Sequence, residues 1–206
     1  MKVLMINGSP NEHGCTFTAL SEVASSLAKN GIDSEIFHIG KKVQGCIACF
    51  KCQEIGRCVF NDDVNKLASR LDEFSGLIIG SPVYFAGVAG GMCSFLDRLF
   101  FSSDSAKLEG KPGAAVVSCR RGGNSSAFDR LNKYFTIRNM LIVGSQYWNE
   151  VHGFTPDDVR KDLEGMQTMR TLGENFAWIL KCIEAGKNAG INYPVHEEIT
   201  YTNFIR

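Results

Sequence analysis

Short apolar runs alternate with amphipathic segments along most of the chain, and this alternation limits its fold more than any other feature. The first run, KVLMIN, is closed by Gly8-Ser9-Pro10, and apolar residues at helical spacing follow it up to Lys29. We predict strands at 2–7, 34–39, 76–80 and 114–118, a strand pair around 140–148, and helices at 18–29, 64–71, 91–101 and 125–135. This order predicts an α/β fold, a mainly parallel sheet with helices on both faces.

The rest of the sequence fits the same architecture. We expect one domain over residues 1–206, with a cysteine-rich insertion at about 44–60 after the second strand. Pro156-Asp157-Asp158 opens a long run of apolar residues at helical spacing, which predicts one C-terminal helix over about 157–187. A helix of this length is expected to pack on a second subunit.

Composition excludes several classes of protein. The 206 residues are 44% hydrophobic and carry a formal net charge of +0, which suits a globular domain and gives no electrostatic reason to expect nucleic acid as a partner. Residues 74–96 carry no charge, but Pro82 and five glycines interrupt them, so we expect no membrane span. The start MKVLMINGSP does not resemble a secretory leader, and we expect a reducing, cytoplasmic location with small-molecule partners.

Three glycine- and serine-rich loops follow predicted strands. The first, GSPNEHGCT at 8–16, runs into a helix and offers backbone N–H groups with hydroxyls from Ser9, Thr16 and Thr18, which suits a terminal phosphate. It has neither the Lys-Ser/Thr of a Walker loop nor G-x-G-x-x-G spacing. An ordinary turn between strand and helix is the alternative.

The second and third loops offer groups for a planar ring. Ser81 to Gly87 places Tyr84 and Phe85 beside backbone polar groups at a strand's carboxyl end, although buried aromatics more often belong to a core. In the third loop, Arg120-Arg121-Gly122-Gly123 can bring backbone groups and positive charge to the same ring or to the phosphates of a nicotinamide cofactor. A solvated basic turn is the alternative there.

Four cysteines lie within thirteen residues. Cys46, Cys49, Cys52 and Cys58 are separated by two, two and five residues, and one compact run of this kind is typical of the ligands of an iron–sulfur cluster. A structural zinc site more often uses two separated pairs. We rank a [4Fe–4S] cluster first, a reduced loop without a cluster second, zinc third, and disulfides last.

The loops and the cysteine run together resemble a known family. GSPNEHGCT, GSPVYFAGVAGGMCSFLDRL and the RRGG turn are similar to the NADPH-dependent FMN reductase family of flavodoxin-like proteins. CIACFKCQEIGRC, inserted after the second strand, resembles its iron–sulfur flavoprotein branch. The resemblance covers roughly residues 1–150 and implies a flavodoxin-like three-layer sandwich with a five-stranded parallel sheet in the order 2-1-3-4-5.

The resemblance also implies cofactors and the residues that hold them. Members bind FMN, and they assemble as dimers or tetramers that bring cluster and flavin together. The FMN phosphate is expected at Ser9, Asn11, Cys15, Thr16 and Thr18. The flavin ring is expected at Pro82, Val83, Tyr84 and Phe85, with Ser118, Arg120, Arg121, Gly122 and Gly123 on its other side. The cluster is expected at Cys46, Cys49, Cys52 and Cys58. Asn11-Glu12-His13 stands where the family often has Arg or Lys, so the phosphate contacts of this segment are open.

These expectations lead to a prediction of function. We predict an FMN-dependent oxidoreductase that takes a hydride from NAD(P)H and passes electrons to an acceptor, directly or through a cluster. No catalytic side chain is nominated, and Tyr84, Phe85 and Arg120 are candidates for shaping the nicotinamide or acceptor site. The alternatives are an FMN and iron–sulfur electron carrier that does not use NAD(P)H, and a structural protein stabilised by zinc.

Overall fold

The computed structural model describes residues 1–202 and Phe204; Asn203, Ile205 and Arg206, the end of the predicted domain, lie outside the described residues. Within that part the chain forms seven strands and seven α-helices. The strands are β1 (Lys2–Asn7), β2 (Asp33–His38), β3 (Gly76–Tyr84), β4 (Gly87–Val88), β5 (Pro112–Cys119), β6 (Leu141–Ile142) and β7 (Glu150–His152). The helices are α1 (Cys15–Lys29), α2 (Lys51–Ile55), α3 (Asp63–Ser69), α4 (Gly90–Ser102), α5 (Asn124–Thr136), α6 (Pro156–Lys161) and α7 (Leu163–Asn188).

The central sheet has the order β2-β1-β3-β5-β6, and these neighbours are all parallel. β7 is also parallel to β5 and pairs with residues 117–119, whereas β6 pairs with residues 112–113. Two short strands therefore share the fifth position, and the predicted order 2-1-3-4-5 is confirmed. The described residues contain seven strands rather than the predicted five because the fifth position is divided and β4 adds an antiparallel hairpin to β3.

Helices cover both faces of the sheet. Along β1, Val3 and Met5 pack with α1 and α7, while Leu4 and Ile6 pack with α3, α4 and α5. All four side chains are fully buried, as expected for parallel strands covered on both sides. The result is a three-layer sandwich in which the loops at the carboxyl ends of the strands are free to form a site.

Two predicted strand boundaries are wrong. β3 continues past Gly80 to Tyr84 because its end pairs with β4. The second strand of the predicted pair within 140–148 lies instead at 150–152. Tyr147 and Trp148 favour a strand by residue type, but their side chains are exposed, and the Ser145 hydroxyl donates to the Tyr147 carbonyl in a local turn.

The predicted C-terminal helix over 157–187 is two helices, with the break at Asp162. Asp162 has φ −75° and ψ 83°, and its carboxylate accepts hydrogen bonds from the N–H groups of Gly165 and His152. It therefore caps α7. Apolar residues keep helical spacing through the break, which is why periodicity alone predicts one helix.

Among the described helices, none combines the length and apolar character that crossing a bilayer requires.

The cysteine-rich segment between β2 and α3 is mostly irregular. Its one helix, α2, starts after Phe50 and ends at Gly56, both of which have left-handed backbone, and Ala48 also has a positive φ of 52°. Asp62 caps α3 by accepting from the N–H of Val64, as its place in Asn61-Asp62-Asp63 predicts. The segment is therefore a folded loop fixed at its carboxyl end by α3.

Candidate functional site

The three loops predicted to bind a ligand meet at the carboxyl ends of β1, β3 and β5. The N–H of Gly8 donates to the Gly80 carbonyl at 2.8 Å, which joins the first loop to β3. The hydroxyls of Thr16 and Ser118 are 2.8 Å apart, which joins the start of α1 to the end of β5. The loops thus meet at one edge of the sheet, at the point where the strand order reverses, the position at which such sheets bind ligands.

The first loop presents unbonded amides at the N-terminus of α1. Gly14 is the N-cap, and the first turn of α1 carries no acidic side chain. The N–H groups of Cys15, Thr16 and Phe17 have no carbonyl one turn earlier to bond, since the intrahelical ladder begins at Thr18, whose N–H donates to Gly14. This arrangement favours an anion.

Asn7 and His38 hold the loop in shape, and neither was predicted. The fully buried Asn7 amide donates to the Glu12 carbonyl at 2.9 Å, and its oxygen accepts from the N–H of Ser9 at 3.1 Å. His38 Nε2 lies 2.8 Å from the Ser9 carbonyl. A polar residue at the end of the apolar run KVLMIN was the available signal for Asn7, because a buried amide needs partners.

The predicted phosphate residues differ in what their side chains do. Ser9, Thr16 and Thr18 are buried, and Asn11 is exposed. The Thr18 hydroxyl donates to the Gly14 carbonyl, while the Thr16–Ser118 pair retains one hydroxyl hydrogen for an outside acceptor. The half-buried Cys15 thiol faces the Gly153 carbonyl at 3.8 Å, and burial raises its pKa.

The second loop is a hairpin with a strained tip. Val83 pairs with Val88, and Tyr84 pairs with Gly87. Between them Phe85 and Ala86 both have positive φ, 50° and 59°, and the Phe85 side chain is fully exposed. Such backbone is costly for residues other than glycine and is most often kept at functional sites.

The third loop leaves two cations without partners. Arg120 and Arg121 are exposed, and neither forms an ion pair with any residue that the structure describes. Gly123 follows with a φ of 86° and caps α5, whose first residue, Asn124, donates to the Glu150 carboxylate. The guanidinium groups are therefore available to a charged ligand at this edge.

The four clustered cysteines line a single pocket of their own. Apolar side chains from the same segment and from α4 form most of its wall, together with the guanidinium of Arg98. Burial raises the pKa of Cys52, and negative charge on Cys49, Cys58 and Cys46 acts in the same direction. Across residues 1–202 and 204, no three Cys, His, Asp or Glu residues are placed to hold one metal ion. The structure thus brings the four thiols to the wall of one pocket, separate from the three loops, but does not converge three of them on one metal position.

Arg98 is a buried cation that sequence analysis did not single out. Its side chain is 1% exposed, and it makes a two-pronged ion pair with Asp62, 2.7 and 2.8 Å between nitrogen and oxygen atoms. Its Nε donates to Cys58 Sγ at 3.2 Å. Burial acts to raise the pKa of Asp62, but the hydrogen bonds and the charge of Arg98, together with the hydrogen bond from the Val64 N–H, hold that pKa below its usual value. An arginine among the apolar residues FLDRLFF was the signal that could have found it.

Helix α4 connects the two parts of the site. The Ser81 hydroxyl, in the second loop, accepts from the N–H of Ala89, the N-cap of α4. Arg98 lies eight residues after Gly90, so the helix places the cysteine pocket about 12 Å along its axis from its own N-terminus. The two sites use different segments and share this helix.

Comparison with known proteins agrees with this geometry. The family described as NADPH-dependent FMN reductase matches residues 1–155. An iron–sulfur flavoprotein of Methanocaldococcus jannaschii is 33% identical and is aligned over 89% of this chain and 100% of its own.

Solved structures show the same fold at low sequence identity. A flavodoxin from the domain Archaea has a TM-score of 0.60, 16% identity, and covers 88% of this chain and 99% of its own. RosB with bound 8-demethyl-8-formylriboflavin-5'-phosphate has a TM-score of 0.68, 12% identity, and covers 100% and 93%. The chain therefore belongs to the NADPH-dependent FMN reductase family, in its iron–sulfur flavoprotein branch, and is a flavodoxin-like oxidoreductase that binds FMN.

Proposed function

We propose that this protein is an FMN-dependent NAD(P)H oxidoreductase that passes electrons to an acceptor through a [4Fe–4S] cluster. The observation that carries the proposal is one helix, α4, which is anchored at its N-terminus in the flavin loops and supplies Arg98 to the four-cysteine pocket. A single domain over residues 1–206 would thus hold both groups. Family membership supports the flavin part.

The first loop fits the FMN phosphate. The free amides of Cys15, Thr16 and Phe17 point out of a helix N-terminus that has no acidic first turn, so a dianion there meets donors and a favourable dipole. Ser9 and Asn11 sit in the turn that Asn7 holds rigid. We assign the phosphate to Ser9, Asn11, Cys15, Thr16 and Thr18.

The second and third loops fit the isoalloxazine ring. Backbone groups at Pro82 and Val83 lie on a fixed hairpin and suit the polar edge of the ring, and Tyr84 and Phe85 are exposed beside it. Residues 118–123, with Ser118, Arg120, Arg121, Gly122 and Gly123, approach from the neighbouring strand.

When bound, FMN supplies hydride acceptance from a nicotinamide and electron release to an acceptor. The chain needs no general acid or base for this chemistry. Tyr84 and Phe85 orient a planar donor and exclude water, and Arg120 and Arg121 offer charge to its phosphates. Because FMN supplies the chemistry and the protein only binds and orients the reactants, the site has a rigid backbone and few titrating groups.

The cysteine pocket supplies the donors that a cluster requires. Cys46, Cys49, Cys52 and Cys58 border one pocket, and their thiolates would be the four ligands of the cluster. A buried arginine beside Cys58 offsets part of the negative charge that four thiolates bring. All eight cysteines are free thiols in the described part of the chain, which suits the reducing cytoplasm that we propose as the location.

We also propose that the chain assembles as a homodimer or homotetramer. Exposed apolar side chains lie on the rim of the cysteine pocket, at Ile47, Phe50, Val59 and Phe101. Phe85, at the flavin loops, is also exposed. Burying these groups against a second copy would remove apolar surface from water. Light scattering after gel filtration measures the mass directly.

The cofactor content tests the proposal. Protein purified without oxygen should show flavin bands on a broad brown shoulder, one FMN per chain, and about four iron and four sulfide per chain. Flavin bands with no iron would leave a plain FMN reductase. One zinc per chain with no yellow colour would contradict the proposal and support a structural zinc protein.

A further inference from the structure

We propose that Arg98 tunes the cluster through Cys58: its hydrogen bond to the Cys58 sulfur raises the cluster's reduction potential, and Asp62 moderates this effect. The proposal rests on the proposed function, since it requires a cluster in the cysteine pocket. It concerns how easily that cluster accepts an electron, which neither family membership nor the cysteine spacing specifies.

The Arg98 guanidinium is held in one orientation. Four of its five N–H donors are used: Nε–H to Cys58 Sγ, two on one nitrogen to Asp62 and the Gln44 carbonyl, and one on the other to Asp62. The guanidinium carbon also lies 5.0 Å from the centre of the Phe60 ring. Because these contacts hold the planar guanidinium group, its Nε–H stays directed at the Cys58 sulfur.

Cys58 does not depend on Arg98 for its position. The Asn65 side chain accepts from the N–H of Cys58 at 3.0 Å and donates to its carbonyl at 2.8 Å. The same amide donates to the Phe60 carbonyl at 2.9 Å. Removal of the guanidinium should therefore leave the backbone of this ligand in place and change only what the sulfur contacts.

The expected sign follows from charge. An electron that enters the cluster makes the ligating sulfurs more negative, and an N–H donor on a cation stabilises that state more than the oxidised one. Arg98 is 1% exposed, so water does not weaken the interaction as it would at the surface. The Asp62 carboxylate opposes it, but with a 40% exposed side chain it is partly screened.

Two substitutions should shift the potential in opposite directions. Arg98→Met removes the donor and leaves the Asp62 charge, so the midpoint potential should become more negative. Asp62→Asn removes the opposing charge, and asparagine can still cap α3 through its side-chain oxygen, so the potential should become more positive. If the ion pair were purely structural, the two substitutions would break the same contact, and they would not shift the midpoint potential in opposite directions.

The experiment is a redox titration of the full chain, reconstituted with ferrous iron and sulfide and reduced with dithionite in the presence of mediators. Iron content is measured first, and electron paramagnetic resonance follows the reduced cluster. Arg98→Lys keeps the positive charge but lacks the planar guanidinium group, so its midpoint potential should lie between those of wild type and Arg98→Met. Arg130→Met is the matched control, since Arg130 contacts Tyr134 and Asp97 and does not line the pocket.

The outcomes separate the two proposals. If the wild-type chain takes up no iron, the proposed function fails. If it holds a cluster and the two variants shift in opposite directions while Arg130→Met matches wild type, the inference stands. Equal potentials in Arg98→Met and wild type would overturn it. If Arg98→Met holds no iron, the potentials of Asp62→Asn and Arg98→Lys test the inference instead. Unshifted potentials in both variants would overturn the inference as well.

Discussion

A Cβ atom at Gly123 would lie 2.6 Å from the Cα of Ala86, so the turn after β5 and the tip of the β3–β4 hairpin are in direct backbone contact. Gly123 also has a φ of 86°, which side chains rarely adopt. One glycine therefore allows the second and third loops to approach each other on the flavin side of the sheet.

Gly123→Ala should weaken FMN binding. The new methyl group meets backbone and not a flexible side chain, and it forces a strained φ. The combined cost is about 1–3 kcal/mol, so we expect the Kd for FMN to rise by about five- to a hundredfold. Fluorescence quenching of FMN measures the Kd. Gly144→Ala is the matched control, because a Cβ there meets nothing within 4 Å and the residue lies outside the three loops. Equal Kd values for the two variants would show that the contact does not shape the site.

Asn7→Ala should destabilise the first loop. The change leaves the Glu12 carbonyl and the Ser9 N–H without their partner, at a cost of about 2 kcal/mol in unfolding free energy, and it should also weaken FMN binding. Urea unfolding of the apoprotein and FMN titration give the two quantities. Asn11→Ala serves as a control for stability, since its side chain is exposed. A loss of stability with unchanged FMN affinity would remove Asn7 from the phosphate site.

Part of this arrangement could be predicted from the sequence. Runs such as KVLMIN and the glycines after them act locally, so the first strands and the three loops could be predicted from them, whereas the strand order was implied by the resemblance to flavodoxin-like proteins. The Arg98–Cys58 and Asn7–Glu12 contacts were not, because side-chain partners depend on packing that a single sequence does not display. The Asp162 break and the exposed Tyr147 and Trp148 were missed for a related reason, since helical spacing and strand propensity persist where tertiary contacts override them.

Cys52→Ala should remove iron and leave FMN bound. The four cysteines line a pocket that contains none of the flavin-loop residues, so the two cofactors are held by different segments. We expect the iron content to fall from about four per chain to near zero, with the flavin band unchanged. Cys182→Ala is the control, because that thiol is exposed on α7 and outside the pocket. Loss of iron and FMN together would mean that the cysteine segment also builds the flavin site.

Glu35 should contribute a pH-dependent part of the stability. Two hydrogen bonds from Arg70, together with one from Lys2, lower the pKa of Glu35 to about 2. Because the folded-state pKa is depressed, the contribution is full above the unfolded value of about 4.3 and is lost as the pH falls toward 2. After allowance for the partial exposure of this network, Glu35→Gln should cost about 1–2 kcal/mol at pH 7 and almost nothing near pH 2. A difference between the two proteins that is constant with pH would contradict this assignment.

The most direct test of the account is anaerobic mixing of the purified holoprotein with NADPH while the flavin band and the cluster absorbance are recorded. The account predicts that the flavin band bleaches without any protein donor and that the cluster absorbance then falls, and that Cys52→Ala shows the first change only. No bleaching by NADPH or NADH, with full bleaching by a reduced ferredoxin, would contradict it and identify an electron carrier.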